Sequence, residues 1–168
     1  LWTLHVTDGL DENGLLKATS DQDQHIRAWA VQLLCEDGAP SKLAQERFAK
    51  MSREDVSPVV RLYLASALQR LAKPDRWTIA AGLSSHAGDA NDHNLPKMIW
   101  YGIEPAVPDD PEKAVALASG SKIPLLTRYI ARRLTAARSF EELVGAIGKA
   151  DDSRKELLLG MRDGLDGR

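Results

Sequence analysis

The chain has 168 residues, 43% of them hydrophobic and 27% charged, with a formal charge of −2. That length can bury a sizeable core in one domain, residues 1–168, and the composition is that of a globular chain, not a disordered one. No global field favours nucleic acid or an anionic membrane, no apolar run approaches the roughly 18 residues of a membrane-spanning helix, and the single Cys35 excludes an internal disulfide.

The chain opens LWTLHVTDGL, without an initiator Met or a signal pattern, and Leu1, Leu4 and His5 or Val6 read as the end of an amphipathic helix. We therefore expect a piece of a longer protein. ENGLLKATS predicts a short helix ending before Asp21. HIRAWAVQLLC then sets Ile26, Ala30, Leu33 and Leu34 on one face, a packed-helix stripe. Gly38 and Pro40 stop it, and Ser41 is placed to cap KLAQERFAKM. In SPVVRLYLASALQRL, Pro58 falls in the first turn, and Val60, Leu64, Ala67, Leu68 and Leu71 form the buried face. DRWTIAAGLSSH predicts another short helix, and SHAGDANDHNLP a polar loop. KMIWYGIEPAV, DPEKAVALAS and KIPLLTRYIARRLTAA continue the helical pattern. SFEELVGAIGKA outlines a capping box, Ser139 with Glu142, and the Gly and Asp content of DSRKELLLGMRDGL predicts a fraying end. Strand signals are nearly absent, so the fold class is all-α.

Two stretches repeat. DQDQHIRAWAVQLL and DVSPVVRLYLASAL lie 34 residues apart and share an Asp, an Arg six residues on, and an aromatic two beyond that. The helices alternate short and long, which predicts an α-solenoid of about five helix pairs. Aligning the long helices on Gln24, Pro58, Pro96 and Pro124 puts Trp29, Tyr63, Tyr101 and Tyr129 at one repeat position. They are expected to be core residues wedged between helices.

The Asp-x-(Asp/Ser)-x-x-(Ile/Val)-Arg pattern before an Ala/Leu-rich run resembles the second helix of a HEAT repeat. The resemblance implies a HEAT- or armadillo-like right-handed superhelix in which the Asp and Arg bridge adjacent units, here Asp21 with Arg27 and Asp55 with Arg61. Ile99 stands for the Arg in the third copy and Lys122 precedes Arg128 in the fourth, which confines the expected ladder to the first half.

LWTLHVTDGLDE, DQDQHIRAWAVQLL, VRLYLASALQRL, NDHNLPKMIWYGIEP and KIPLLTRYIARRL together resemble the helical segment of large bacterial membrane-bound dehydrogenases of planctomycetes and verrucomicrobia. In that family a sugar-dehydrogenase-like β-propeller precedes HEAT-like repeats and a cytochrome c domain. The resemblance implies a non-catalytic scaffold that docks or links those modules in a periplasmic or membrane-associated protein. With one cysteine this chain cannot hold the CxxCH haem site, so no cofactor is expected within it. The alternative expectation is a HEAT-like module that binds an external protein or ligand on its concave face, like lyase helpers or helical-repeat nucleic-acid binders.

Candidate sites are few. HAGDANDH gathers His86, Asp89, Asp92 and His93, which are metal-ligand types, but the spacing fits no established ligand set and turn geometry accounts for the composition. No metal is expected. Glu104, followed by Pro105, reads as a helix end, with no partner acid or base written nearby. Arg128, Arg132, Arg133 and Arg138 form a basic stretch, but acidic residues outnumber basic ones 24 to 22, so a solvated or domain-contacting face is expected and nucleic acid is not. No nucleophile elbow or phosphate-cradling loop is present, and no catalytic residue is assigned. The expected partner is protein.

Overall fold

The structure, a computed structural model, describes residues 3, 4, 7 and 9–167. The helix end expected at Leu1, Leu4 and His5 or Val6 lies, apart from Leu4, outside them. From Glu12 onward the described residues form ten α-helices: α1 Glu12–Ala18, α2 Gln24–Leu33, α3 Lys42–Glu54, α4 Pro58–Ala67, α5 Arg76–Ser84, α6 Leu95–Ile103, α7 Pro111–Gly120, α8 Pro124–Ala136, α9 Phe140–Lys149 and α10 Arg154–Leu165. No strand occurs among the described residues, and no helix there is long and apolar enough to cross a membrane.

The helix starts follow local chemistry. Asp11, Asp23, Ser41, Ser57 and Asp110 each accept a hydrogen bond from a first-turn N–H, satisfying a donor that the helix cannot. Pro58, Pro111 and Pro124 begin their helices, where a missing N–H matters least. Ser41 also bonds Glu12 at the start of α1. Ser41→Ala should therefore lower stability by about 1 kcal/mol, read as a shifted urea midpoint with an unchanged slope.

Two expectations at the chain's end are corrected. Ser139 precedes α9 but makes no side-chain cap bond, because its backbone (φ −81°, ψ 61°) departs from the extended geometry usual for a capping residue. The closing segment does not fray: α10 lies against α8, and its glycines permit the approach. A Cβ on Gly160 would stand 2.3 Å from the Arg128 carbonyl oxygen, and one on Gly164 2.7 Å from Thr135 Cβ. The polar loop after α5 also holds more structure than expected, a 3-10 helix over Ala87–Asn91.

Helices α2, α4, α6, α8 and α10 pack each on the next in one layer, and α3, α5, α7 and α9 do so in a second. The core fills the space between layers, with Phe48, Leu64, Leu68, Ile99, Ile103, Ile130 and Leu134 fully buried. Burial sets the register along the even-numbered helices: Ala30, Leu64, Ile99 and Ile130 occupy one buried position, and Val31, Ala65, Trp100 and Ala131 the next.

That register corrects the aromatic set. The residues one position earlier are Trp29, Tyr63, Met98 and Tyr129, so Tyr101 is not equivalent to the others. The residue level with Pro58 and Pro124 is His93, because α6 begins two residues later in the register and carries Pro96 at its second position. Counting from that proline runs three residues too far. Trp29 is 42% exposed and Tyr101 58%, so these two are not wedged core residues; Tyr63 and Tyr129 are half-buried against the core.

Candidate functional site

The two copies of the Asp…Arg pattern meet at the junctions between successive helix pairs. Arg27 donates from Nε and NH2 to both carboxylate oxygens of Asp55, at 2.7 and 2.8 Å, and from NH1 to the backbone carbonyl of its own Asp21. Arg61 repeats the arrangement, with two 2.6 Å bonds to Asp89 and one of 2.8 Å to the Asp55 carbonyl. Asp55 thus offers its carbonyl to the Arg61 of its own copy and its carboxylate to the Arg27 of the preceding one. Bidentate geometry of this kind fixes orientation as well as energy. Asp89, grouped above with metal-ligand types, is the third rung; Asp21, Asp55 and Asp89 stand at equal intervals of 34 residues. Pro96, not Ile99, is level with Arg61, and the run of rungs ends there. Arg128 makes a separate contact, 2.6 Å from its Nε to Asp163 on α10, so arginine–carboxylate pairs are not confined to the first half.

Burial pushes the Asp55 carboxyl up, but bonds from Arg27 and the Ser57 N–H, with the charges of Arg27 and Arg61, outweigh it and hold its pKa below the ordinary 3.8. Asp163 is depressed too, chiefly by its hydrogen bond from Arg128. Such groups bind a proton less readily folded than unfolded. The stability they lend is complete above the unfolded pKa and is lost as pH falls through the folded one. The urea midpoint should stay nearly level down to about pH 5 and fall steeply below about pH 4, and Asp55→Asn should make that fall shallower.

The remaining candidate residues are dispersed or engaged. His86 Nε2 lies 2.8 Å from the Ser52 carbonyl, Asp89 serves Arg61, and Asp92 accepts from the Asn94 and Leu95 N–H groups at the start of α6, which lowers its pKa. His93 is exposed. No group of three or more His, Cys, Asp or Glu that could hold a metal ion occurs among the described residues. Glu104 Oε1 stands 2.7 Å from Arg133 Nε, an ion pair whose N–H is not aimed well enough for a hydrogen bond. Arg132 lies over the Tyr129 ring at 5.2 Å, and Arg138 has a positive φ of 63°. The basic stretch is therefore largely turned to intramolecular contacts. Cys35 is buried, and burial pushes its thiol up to about 11 despite the nearby charge of Arg70, so it is no nucleophile near neutrality.

An aromatic groove lies across α2, α4 and the start of α6. Trp29, Tyr63 and Met98 line it, with Leu62, Gln32, Ser66, Asn94 and Glu36, and it encloses about 540 Å³. The Trp29 and Tyr63 rings stand 6.5 Å apart at 54°, and one register position of the even-numbered layer supplies all three principal walls. A larger groove of about 860 Å³ lies between α7, α9 and α10, edged by Glu112, Glu141, Glu142, Asp151, Asp152 and Glu156. Sequence reasoning finds Trp29 and Tyr63 but misses Met98, whose side chain gives no aromatic signal. Comparison with protein-family models, with curated proteins and with solved structures returned no match.

Proposed function

We propose that this chain is a non-catalytic helical-repeat scaffold, five helix pairs of a HEAT-like right-handed α-solenoid, serving as an interaction segment of a larger bacterial oxidoreductase. One observation carries the reading. The Arg27–Asp55 and Arg61–Asp89 pairs are the same contact made twice, 34 residues apart, each tying one helix pair to the next. A unit that cannot bury its own apolar stripe is stabilised by its neighbours, and a repeated junction sets their angle and spacing. Rigid spacing is what a scaffold between two catalytic modules supplies. The resemblance to membrane-bound dehydrogenases then names those modules as a propeller dehydrogenase and a cytochrome c, neither within this chain.

The test uses the full-length protein. Its reading frame should encode a CxxCH downstream of this segment. Removing residues 9–167 should leave dye-linked dehydrogenase turnover in place while abolishing reduction of the haem. Reduction of the haem at an unchanged rate, or a frame without CxxCH, would reject the linking role.

A second reading, a module that docks an external protein on one face, is favoured by the exposure of Trp29 in the aromatic groove. The two are compatible, since a spacer can also recruit.

A further inference from the structure

We propose that the outer face of α9 and α10 is an inter-repeat interface, covered in the full protein by a further helix pair of the same kind. The inference rests on the reading of this chain as a segment of a larger protein, and adds to it the surface and its occupant. The even-numbered helices carry the argument. Their core stripe recurs every four residues: Val60, Leu64 and Leu68 along α4 and the turn after it, Leu95, Ile99 and Ile103 on α6, Leu126, Ile130 and Leu134 on α8. Each of these is at most 1% exposed. The same spacing on α10 gives Leu157, Met161 and Leu165. Two glycines fix that alignment, Gly102 just before Ile103 and Gly164 just before Leu165. Each marks where its helix meets the preceding even-numbered one. A Cβ at Gly102 would stand 2.6 Å from Leu68 Cβ, and one at Gly164 2.7 Å from Thr135 Cβ.

On α10 the stripe opens outward. Leu157 is fully buried, Met161 is half-buried and Leu165 is 64% exposed. A place at a helix end does not account for this. Ile103 is also the last residue of its helix and Leu68 lies just past the end of its own, yet both are fully buried. What lies against Leu68 is the next even-numbered helix, at Gly102. By the same register, Leu165 is the side chain that a helix after α10 would cover. Leu158 on α10 and Phe140 and Val144 on α9 are exposed as well. The last helix of each layer therefore keeps apolar surface in water, whereas a repeat array ends on a pair with a polar outer face.

Continuity with the junctions inside the array selects the occupant. Each internal junction joins two different faces, the far side of one pair and the near side of the next. A second copy across a two-fold axis would set α10 against α10, and a copy added head to tail would repeat into an open filament. A following helix pair of the same protein continues the series without either. Opposite Leu165 it should carry a small residue, as Gly102 does opposite Leu68.

The experiment uses the full-length protein. Hydroxyl-radical footprinting reads Leu158 and Leu165 without any substitution, against Leu43, which is 57% exposed. Oxidation about tenfold slower than at Leu43 is expected, at every protein concentration. Iodoacetamide should likewise modify Leu165→Cys more slowly than Val56→Cys, whose position is 88% exposed. Amine cross-links from the exposed Lys155 should fall within about 45 residues after Arg168, one repeat length. Oxidation of Leu165 as fast as Leu43 would overturn the proposal. Protection that fades on dilution would assign the face to a second copy, and cross-links confined to a more distant module would assign it to that module; either also overturns it. Each of these leaves the scaffold reading standing, because that reading falls only if haem reduction survives the deletion or the frame lacks CxxCH.

Discussion

Arg61→Ala should destabilise the protein by about 3–5 kcal/mol, the range for breaking a buried ion pair by removing one partner. Arg61 is 6% exposed and Asp89 4%, and the guanidinium supplies two bonds to that carboxylate and one to the Asp55 carbonyl. Truncation leaves a carboxylate out of water with neither charge nor donor opposite it. The loss is therefore dominated by the orphaned Asp89, and the double replacement Arg61→Met with Asp89→Leu should recover most of it. Lys73→Ala is the contrasting case. Its pair with Asp109 is 2.8 Å long but exposed on both sides, so a change within about 0.5 kcal/mol is expected. Urea unfolding by circular dichroism measures all three. A loss below about 1 kcal/mol for Arg61→Ala would show that the junctions are not held by these pairs.

The second large effect is expected at Gly160. Alanine there should destabilise by about 1–3 kcal/mol, although a glycine-to-alanine change inside a helix ordinarily gains up to about 1 kcal/mol. The sign reverses because the new methyl would stand 2.3 Å from the Arg128 carbonyl oxygen and 2.7 Å from Ala131 Cβ. Backbone cannot swing aside as a long side chain can, so α10 must lift from α8, straining the Arg128–Asp163 bond as well. Gly145→Ala provides the control. Its Cβ would meet nothing within 4 Å, and in α9 it should stabilise by about 0.5–1 kcal/mol. Stabilisation by Gly160→Ala would mean that the two helices do not approach as closely as described.

Much of the even-numbered layer is legible from spacing. Apolar residues at helical intervals mark the buried face of α4 and of the 3-10 turn that follows it, from Val60 to Leu71, and Ser41 and Pro58 mark two helix starts. These features are local: a side chain reaching its own first-turn N–H needs no knowledge of the rest of the molecule. The Asp and Arg of each repeat are legible too, and so is the arginine's reach beyond its own unit. What spacing does not reveal is that Asp89 is the third rung, although its interval from Asp55 equals that between Asp55 and Asp21. Its neighbours His86, Asp92 and His93 suggest ligand chemistry instead.

The aromatic groove shows the same division. Trp29 and Tyr63 follow directly from the repeat, but their exposure does not, because a large aromatic on a helix reads as core until the neighbouring helix is placed. Met98 joins the set only when burial, not proline position, fixes the register of α6.

Sequence by itself determined the all-helical class, most helix starts, the main apolar stripes and the 34-residue repeat, since each depends on backbone geometry and contacts within one or two turns. Tertiary structure alone decided that Gly160 and Gly164 mark a close helix approach and not a fraying end, that Asp89 answers Arg61, and that Trp29 faces outward. The physical reason is common to all three. A glycine's missing Cβ, a carboxylate's partner and an aromatic's exposure are each set by what the next helix brings within a few ångströms, and spacing along one helix does not contain that distance.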